Sequence, residues 1–325
     1  MTVRLERVAL PDVPWPDLDR RPDRTPYQTL GWLDVLSERQ GAEPVVARVH
    51  LDDEPVGWFT GAIVRRAGLR ILGAPLRGWA TGPMGFNLDV PIPFEAAGAA
   101  LRHLAFAHLG CAHVEVASRQ GLGLGLRDYR DAGLPGFRLD LRKTEDDLWR
   151  GMRQMARRNV RRATRAGVTV EAAHLAEPGL ADEIHAHLVA TFALKGARPR
   201  ATPADLAAIL FHVPDRHLLV LRARSATGRS ASVGIFPGVP EGGAGMWLAA
   251  GDPTERADRP NDALMWEAMA AWRRRGATWF EFGGGGDYKA KFGGTPEQVP
   301  WVRSSRWPGV AALRDQAARL LTARR

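Results

Sequence analysis

A mixed α/β fold repeated twice along 325 residues is what the sequence predicts, and three observations carry that prediction. Short alternating runs rich in Val and Ile mark a hairpin in each half, 45–50 with 56–64 and 218–223 with 232–236. Each half then carries an amphipathic helix that stops at a glycine and runs into a strand. Finally, Gly110-Cys111-Ala112-His113-Val114-Glu115-Val116 aligns without a gap on Gly276-Ala277-Thr278-Trp279-Phe280-Glu281-Phe282, glycine on glycine and acid on acid. With 45% hydrophobic residues, the chain has enough apolar material for two cores. The expected domains are 1–136 and 137–325, the second led by a basic linking helix at 145–166.

The elements follow in order. After an irregular, proline-rich start, Thr25-Pro26-Tyr27-Gln28-Thr29-Leu30-Gly31-Trp32 leads into a helix ending near Gly41. Asp52-Asp53-Glu54-Pro55 turns the first hairpin. A strand is expected at 69–80, a loop at 82–85, a helix at 94–109 stopped by Gly110, and a strand at 112–117. In the second half Thr227-Gly228-Arg229 turns the hairpin, and Pro55-Val56-Gly57 is echoed by Ser232-Val233-Gly234. A strand at 244–250 follows. Asn261 or Asp262 then caps a helix whose closing Arg273-Arg274-Arg275 suits the negative end of its dipole.

Between the halves, Thr144 and Asp147 form a capping box, and Gly167 supplies a stop. Trp149, Met152, Ala156, Val160 and Ala163 make one stripe of this single helix. Arg150, Arg153, Arg157, Arg161 and Arg165 make the opposite one, widened by Arg158 and Arg162. The plain reading is a solvated face. Yet these arginines have no acid among them after Asp147, and such a face repels itself unless an anion binds, so a phosphate-rich ligand is expected there.

The overall charge agrees. A formal net charge of +9 and a pI near 10.6 point to a polyanionic partner. Cys111 is the only cysteine, which excludes an intramolecular disulfide and a cysteine zinc cluster. His185 and His187, two apart on a helix, face different sides, and no metal site is expected. No apolar run approaches the roughly 20 residues of a membrane span, and 1–24 holds no signal-like stretch. A soluble cytoplasmic protein without stable membrane insertion is expected.

The chemistry concentrates in Trp279-Phe280-Glu281-Phe282-Gly283-Gly284-Gly285-Gly286-Asp287-Tyr288-Lys289-Ala290-Lys291-Phe292-Gly293. The glycines leave backbone amides open to a ligand. Lys143, Lys195, Lys289 and Lys291 are the only lysines among 45 basic residues, so two beside a bare glycine loop look placed. No Gly-x-Ser-x-Gly elbow, Walker loop or zinc-protease motif occurs.

The duplicated α/β halves, the 151–163 helix running into Gly167-Val168, Tyr288-Lys289-Ala290-Lys291-Phe292-Gly293, and Tyr27-Gln28-Thr29 before Trp32 together resemble the Fem-type aminoacyltransferases. That resemblance implies α/β (α+β) tandem GNAT-fold domains, each a mixed, mostly antiparallel sheet flanked by helices. It also implies transfer of an amino acid from aminoacyl-tRNA to an amine of a peptide-like metabolite or peptidoglycan precursor. By match to the family motif, Lys289 would bind phosphate or support the oxyanion. Glu281, at the strand end entering the glycine loop, would orient the amine or take its proton, or else be a structural acid accepting from loop amides. Lys291, Asp287, Gly284, Gly285, Arg157, Arg158 and Arg161 would bind substrate. Two departures stand out. There is no charged helical arm, and Arg256-Ala257-Asp258-Arg259-Pro260-Asn261 replaces the glycine-rich pyrophosphate loop of acyl-CoA enzymes, where Pro260 removes an amide donor. No cofactor is therefore expected beyond aminoacyl-tRNA as co-substrate. The alternatives are an acyl-CoA-dependent GNAT N-acyltransferase and a non-catalytic RNA-binding module.

Overall fold

The computed structural model describes residues 1–76, 78–284 and 287–310. In chain order, β1 (Val3–Val8) and α1 (Trp15–Leu18) precede α2 (Leu30–Gln40), the hairpin β2 (Glu43–Leu51) and β3 (Glu54–Arg66), and β4 (Leu69–Ala74). After β5 (Gly85–Leu88) come α3 (Phe94–His103), β6 (His113–Ala117), β7 (Arg130–Asp140), α4 (Glu145–Gly151) and α5 (Gln154–Arg165). Next are β8 (Thr169–Ala172), α6 (Leu180–Ala193), α7 (Pro203–His212), the hairpin β9 (Leu218–Arg224) and β10 (Ser230–Pro237), β11 (Gly243–Gly245) and β12 (Leu248–Gly251). The chain continues through α8 (Pro260–Arg274), β13 (Trp279–Glu281), the short α9 (Asp287–Ala290) and β14 (Thr295–Ser305).

Two compact units result. One contains Met1–Pro14, Leu36–Leu134 and the described residues from Gln298. The other contains Trp15–Val35 and Pro135–Glu297. Relative to a single cut at 136/137, residues 15–35, residues 135–136 and the stretch from 298 change sides. In the first unit the strands run β1-β2-β3-β4-β6-β14, with β5 on β3. β4 is parallel to β6, and β14 is antiparallel to it. The second unit has an antiparallel sheet β12-β10-β9-β8, and β13 sits between β7, antiparallel, and β11, parallel.

The alignment of Glu115 with Glu281 holds in three dimensions. Glu115 lies opposite Gly73 on its parallel neighbour and Arg303 on its antiparallel one. Glu281 lies opposite Gly245 and Arg138 in the same senses. Gly110 and Gly276, which end the preceding helical stretches, both take positive φ, +63° and +90°, a region that favours glycine. The strand that completes each arrangement is not the next one in sequence: β7 follows β6 but pairs with β13 through Arg138–Asp140, and β14 follows β13 but pairs with β6.

Several expectations change. The proline-rich start contains β1. The expected 69–80 strand ends at Ala74. The 94–109 helix loosens into a π-turn over Leu104–His108. The 144–167 helix breaks: Thr144 caps α4 by accepting from the Asp147 amide, but Met152 and Arg153 are extended and α5 starts afresh. The residue ahead of α8 is Arg259, in the left-handed region, with Pro260 first in the helix. The apolar stripe nevertheless does what its pattern requires. Ala156, Val160 and Ala163 of α5 join Leu264, Met265, Ala268, Met269 and Trp272 of α8 in one buried cluster with Leu219, Leu221 and Phe236. Each large side chain fully buried there contributes about 1.5–3 kcal/mol.

Candidate active site

Residues 243–251 are the strand expected at 244–250, but the strand is split. β11 pairs with β13 as far as Gly245 opposite Glu281, and the Met246 amide donates to the Glu281 carbonyl at 2.9 Å. The next amide, Trp247, donates instead to Ile235 at 3.0 Å, and β12 continues along β10. The two strands therefore diverge where β13 ends and the glycine loop begins, opening a wedge.

Alternation sorts the side chains at this wedge. Ala244, Phe280 and Phe282 enter the α8 core, with Met246 packed against it. Gly243, Gly245, Trp279 and Glu281 take the other face. A Cβ at Gly243 would lie 2.0 Å from the Trp279 indole, and one at Gly245 would lie 2.6 Å from Glu281 Cγ. Only glycine leaves room for those two side chains. The 15–35 segment covers this face: the Gly243 amide donates to the Arg24 carbonyl at 2.9 Å and Trp279 Nε1 to the Pro22 carbonyl at 3.1 Å. On the same face, Glu281 is 5% exposed.

Lys289 closes the mouth of the wedge. Its Nζ donates to the Gly284 carbonyl at 2.7 Å, and it lies 3.9 Å from where a Gly283 Cβ would be, as does the Met246 carbonyl. Burial pushes its pKa below the ordinary lysine value, and the Glu281 charge opposes that shift. The structure thus brings Lys289, Glu281 and Gly284 together. Gly285 falls outside the described residues, and so does the Asp287 side chain.

Lys291 goes elsewhere. It is 5% exposed, its Nζ is 2.5 Å from Asp262 Oδ1, and it lies over the Phe292 ring. Its charge is committed to an ion pair that ties this segment to the first turn of α8. Arg157, Arg158 and Arg161 lie on α5. Arg157 donates to the Arg150 carbonyl at 2.8 Å, Arg161 stacks over Trp149 at 5.4 Å, and Arg158 is exposed. Among the described residues, Arg153, Arg157, Arg158, Arg161, Arg162 and Arg165 make no ion pair, whereas Arg150 pairs with Asp146 and Asp147. This basic helix borders the lysine segment, because the Arg153 amide donates to the Lys291 carbonyl at 2.9 Å.

Residues 150–291 match the model of the acetyltransferase (GNAT) domain. Among solved structures the chain is similar to FemX, with a TM-score of 0.69 at 12% identity over 91% of this chain and 96% of that one. The chain has a Fem-like GNAT fold. It is also similar to a tandem GNAT protein from the clavulanic acid biosynthesis pathway (TM-score 0.50, 14% identity, 94% and 99% covered). A further likeness is to the C-terminal domain of a putative lysylphosphatidylglycerol synthetase from Agrobacterium fabrum (TM-score 0.52, 15% identity, 82% and 86% covered). No curated protein matches the sequence significantly.

The two GNAT units differ at the wedge. In the first unit β4 pairs with β6 whereas β5 pairs with β3, and side chains of the protein itself bridge β5 to the residues that follow β6. The Phe86 amide donates to Ser118 Oγ at 3.0 Å and the Leu88 amide to Gln120 Oε1 at 2.8 Å. The second unit has the lysine, the glycine loop and the basic helix. At the start of α8 the positive helix end is already engaged: Pro260 has no N–H, and the Asp262 carboxylate, 4% exposed, sits in the first turn against Lys291. The sequence offered Asp262 as a helix cap, but its pairing with Lys291, 29 residues away, was not legible there. Among the described residues, no helix is long and apolar enough to cross a membrane.

Proposed function

We propose that the protein is an acyltransferase that moves an aminoacyl group from aminoacyl-tRNA to an amine, forming an amide bond. One observation carries this reading: the half-buried Lys289 ammonium lies at the wedge mouth beside Glu281, on a segment that abuts the arginine-rich helix α5. An aminoacyl ester is already activated, so no enzyme nucleophile is needed. The amine nitrogen bonds to the ester carbonyl carbon, the carbon–oxygen bond to the ribose breaks, and one proton moves from amine to ribose oxygen. Glu281 is suited to take the amine proton. Lys289 is suited to stabilise the oxyanion and, with its proton affinity lowered by burial, to protonate the departing oxygen. The arginines of α5 suit phosphates of the donor away from the reacting ester. The likenesses to FemX and to the lysylphosphatidylglycerol synthetase domain support a donor of this kind. A peptide-like metabolite or a peptidoglycan precursor suits the acceptor role, and no cofactor is required.

The GNAT domain match favours a second reading, an acyl-CoA donor. Against it stand Pro260 and the Asp262 carboxylate at the helix end that a pyrophosphate would use. The test supplies charged tRNA or acetyl-CoA with a panel of amines and detects amide by mass. Ribonuclease-sensitive product from charged tRNA is expected. Ribonuclease-resistant product from acetyl-CoA would replace this reading with the second.

A further inference from the structure

On the face that carries Glu281, the strand from β11 to β12 presents Gly243, Gly245 and then Trp247. The glycines make room for Trp279 and Glu281, so Trp247 is the first side chain of that strand to stand beside the wedge. It is half-buried, and its neighbour Met246 is the residue whose carbonyl faces Gly283 at the mouth. Two rings of the 15–35 segment brace it. Trp32, 1% exposed, meets Trp247 edge-on at 6.2 Å, and Tyr27, 3% exposed, meets Trp32 edge-on at 4.9 Å. Behind them Arg24, fully buried, donates to the Gln28 carbonyl at 2.6 Å and lies 3.5 Å from Asp19. A ring held this way cannot rotate aside for a ligand.

We infer that Trp247 is the wall of the acceptor subsite, and that this subsite takes a primary amine entering as its ammonium, between the Glu281 carboxylate and the indole. A buried carboxylate beside an aromatic ring attracts a cation by charge and by the ring quadrupole, and it disfavours anionic groups. The ammonium gives its first proton to Glu281, which passes it to solvent; the free amine attacks the ester, Lys289 protonates the departing ribose oxygen, and the second amine proton restores the Lys289 ammonium. The inference rests on the acyltransferase reading. It assigns the acceptor to the Trp247 side of the wedge, whereas Lys289 and α5 serve the donor.

The test measures acceptor and donor KM separately for n-butylamine and benzylamine in wild type, Trp247→Ala, Trp247→Leu and Trp247→Phe. Thermal melts check that each variant folds. Trp247→Ala and Trp247→Leu are expected to raise the butylamine KM about thirtyfold, the scale of a desolvated cation–π contact. Donor KM should hold, and Trp247→Phe, which keeps a ring, should stay near wild type. An unchanged acceptor KM in Trp247→Leu, or an equal rise in donor KM, would overturn the inference. Saturation-transfer NMR of butylammonium on the wild-type protein separates the two levels. Binding without amide formation from any donor sinks the transferase reading alone, and no binding sinks the subsite.

Discussion

At Lys289 two influences compete: burial favours the neutral amine and the Glu281 charge favours the ammonium, with burial the larger. If the ammonium is the working form, activity must fall at alkaline pH as Lys289 loses its proton, below the ordinary lysine value. Removing Glu281 would shift that limb lower still, because the charge that retains the proton is gone. The rate–pH profiles of wild type and Glu281→Gln, the latter measured on its residual activity, check both the position and the direction. Lys289→Ala should lower kcat by a factor on the order of a hundred, the scale for losing one aimed electrostatic group. Unchanged kcat would remove the lysine from the mechanism. Glu281, Gly284 and Lys289 were legible as neighbours because sequence places them within nine residues. The separate fate of Lys291 was not: its ion pair with Asp262 depends on how α8 packs.

Among the elements, α5 was read correctly as an amphipathic surface, but its continuity with α4 was not. The Met152–Arg153 break lets Arg153 donate to the Lys291 carbonyl, a tertiary contact that local helical pattern does not encode. Since Arg157 and Arg161 have internal partners, Arg158 and Arg162 are the better probes of the outer face. Changing both to Gln should leave folding intact and reduce the slope of log affinity for tRNA against log salt by about 0.7–0.9 per lost phosphate contact. Equal slopes in filter binding would make the stripe a solvated face.

The 15–35 segment has its own signature. Burial, with Arg216 and Arg24 nearby, lowers His217 to about 4, so its 3.5 Å approach to Asp19 is made by an uncharged imidazole at pH 7 and is not an ion pair. Between the ordinary histidine value of 6.5 and about 4, the unfolded chain takes up a proton that the folded one refuses. The stabilisation is complete above that window and declines as pH falls through it. Urea midpoints measured across pH 7 to 4 should therefore drop less steeply in His217→Gln than in wild type.

For the molecule as a whole, the repeated Gly–Glu–Arg row means that duplication was readable from two aligned heptapeptides, whereas the exchange of final strands was not. β7 contains Gly133, Pro135 and Gly136, and β14 contains Pro296 and Pro300, residues that argue against a strand when only the sequence is in hand. The exchange has a consequence for any division of the chain. A fragment ending at residue 136 keeps β6 but lacks β14, which leaves the β6 edge that carries Glu115 unpaired on the β14 side. The complementary fragment from 137 keeps β13 and the Arg138–Asp140 end of β7 that pairs with it, but lacks the 15–35 segment, which packs against Gly243 and Trp279 and includes the fully buried Arg24. An uncovered strand edge invites aggregation, and an uncovered apolar face removes part of the core. Each fragment expressed alone is therefore expected to be insoluble or to unfold without a cooperative transition, although each spans one copy of the repeated sequence. Co-expression should recover a soluble complex in which the two fragments purify together. A fragment 1–136 that is soluble alone and melts cooperatively would show that β14 adds nothing essential to the first unit.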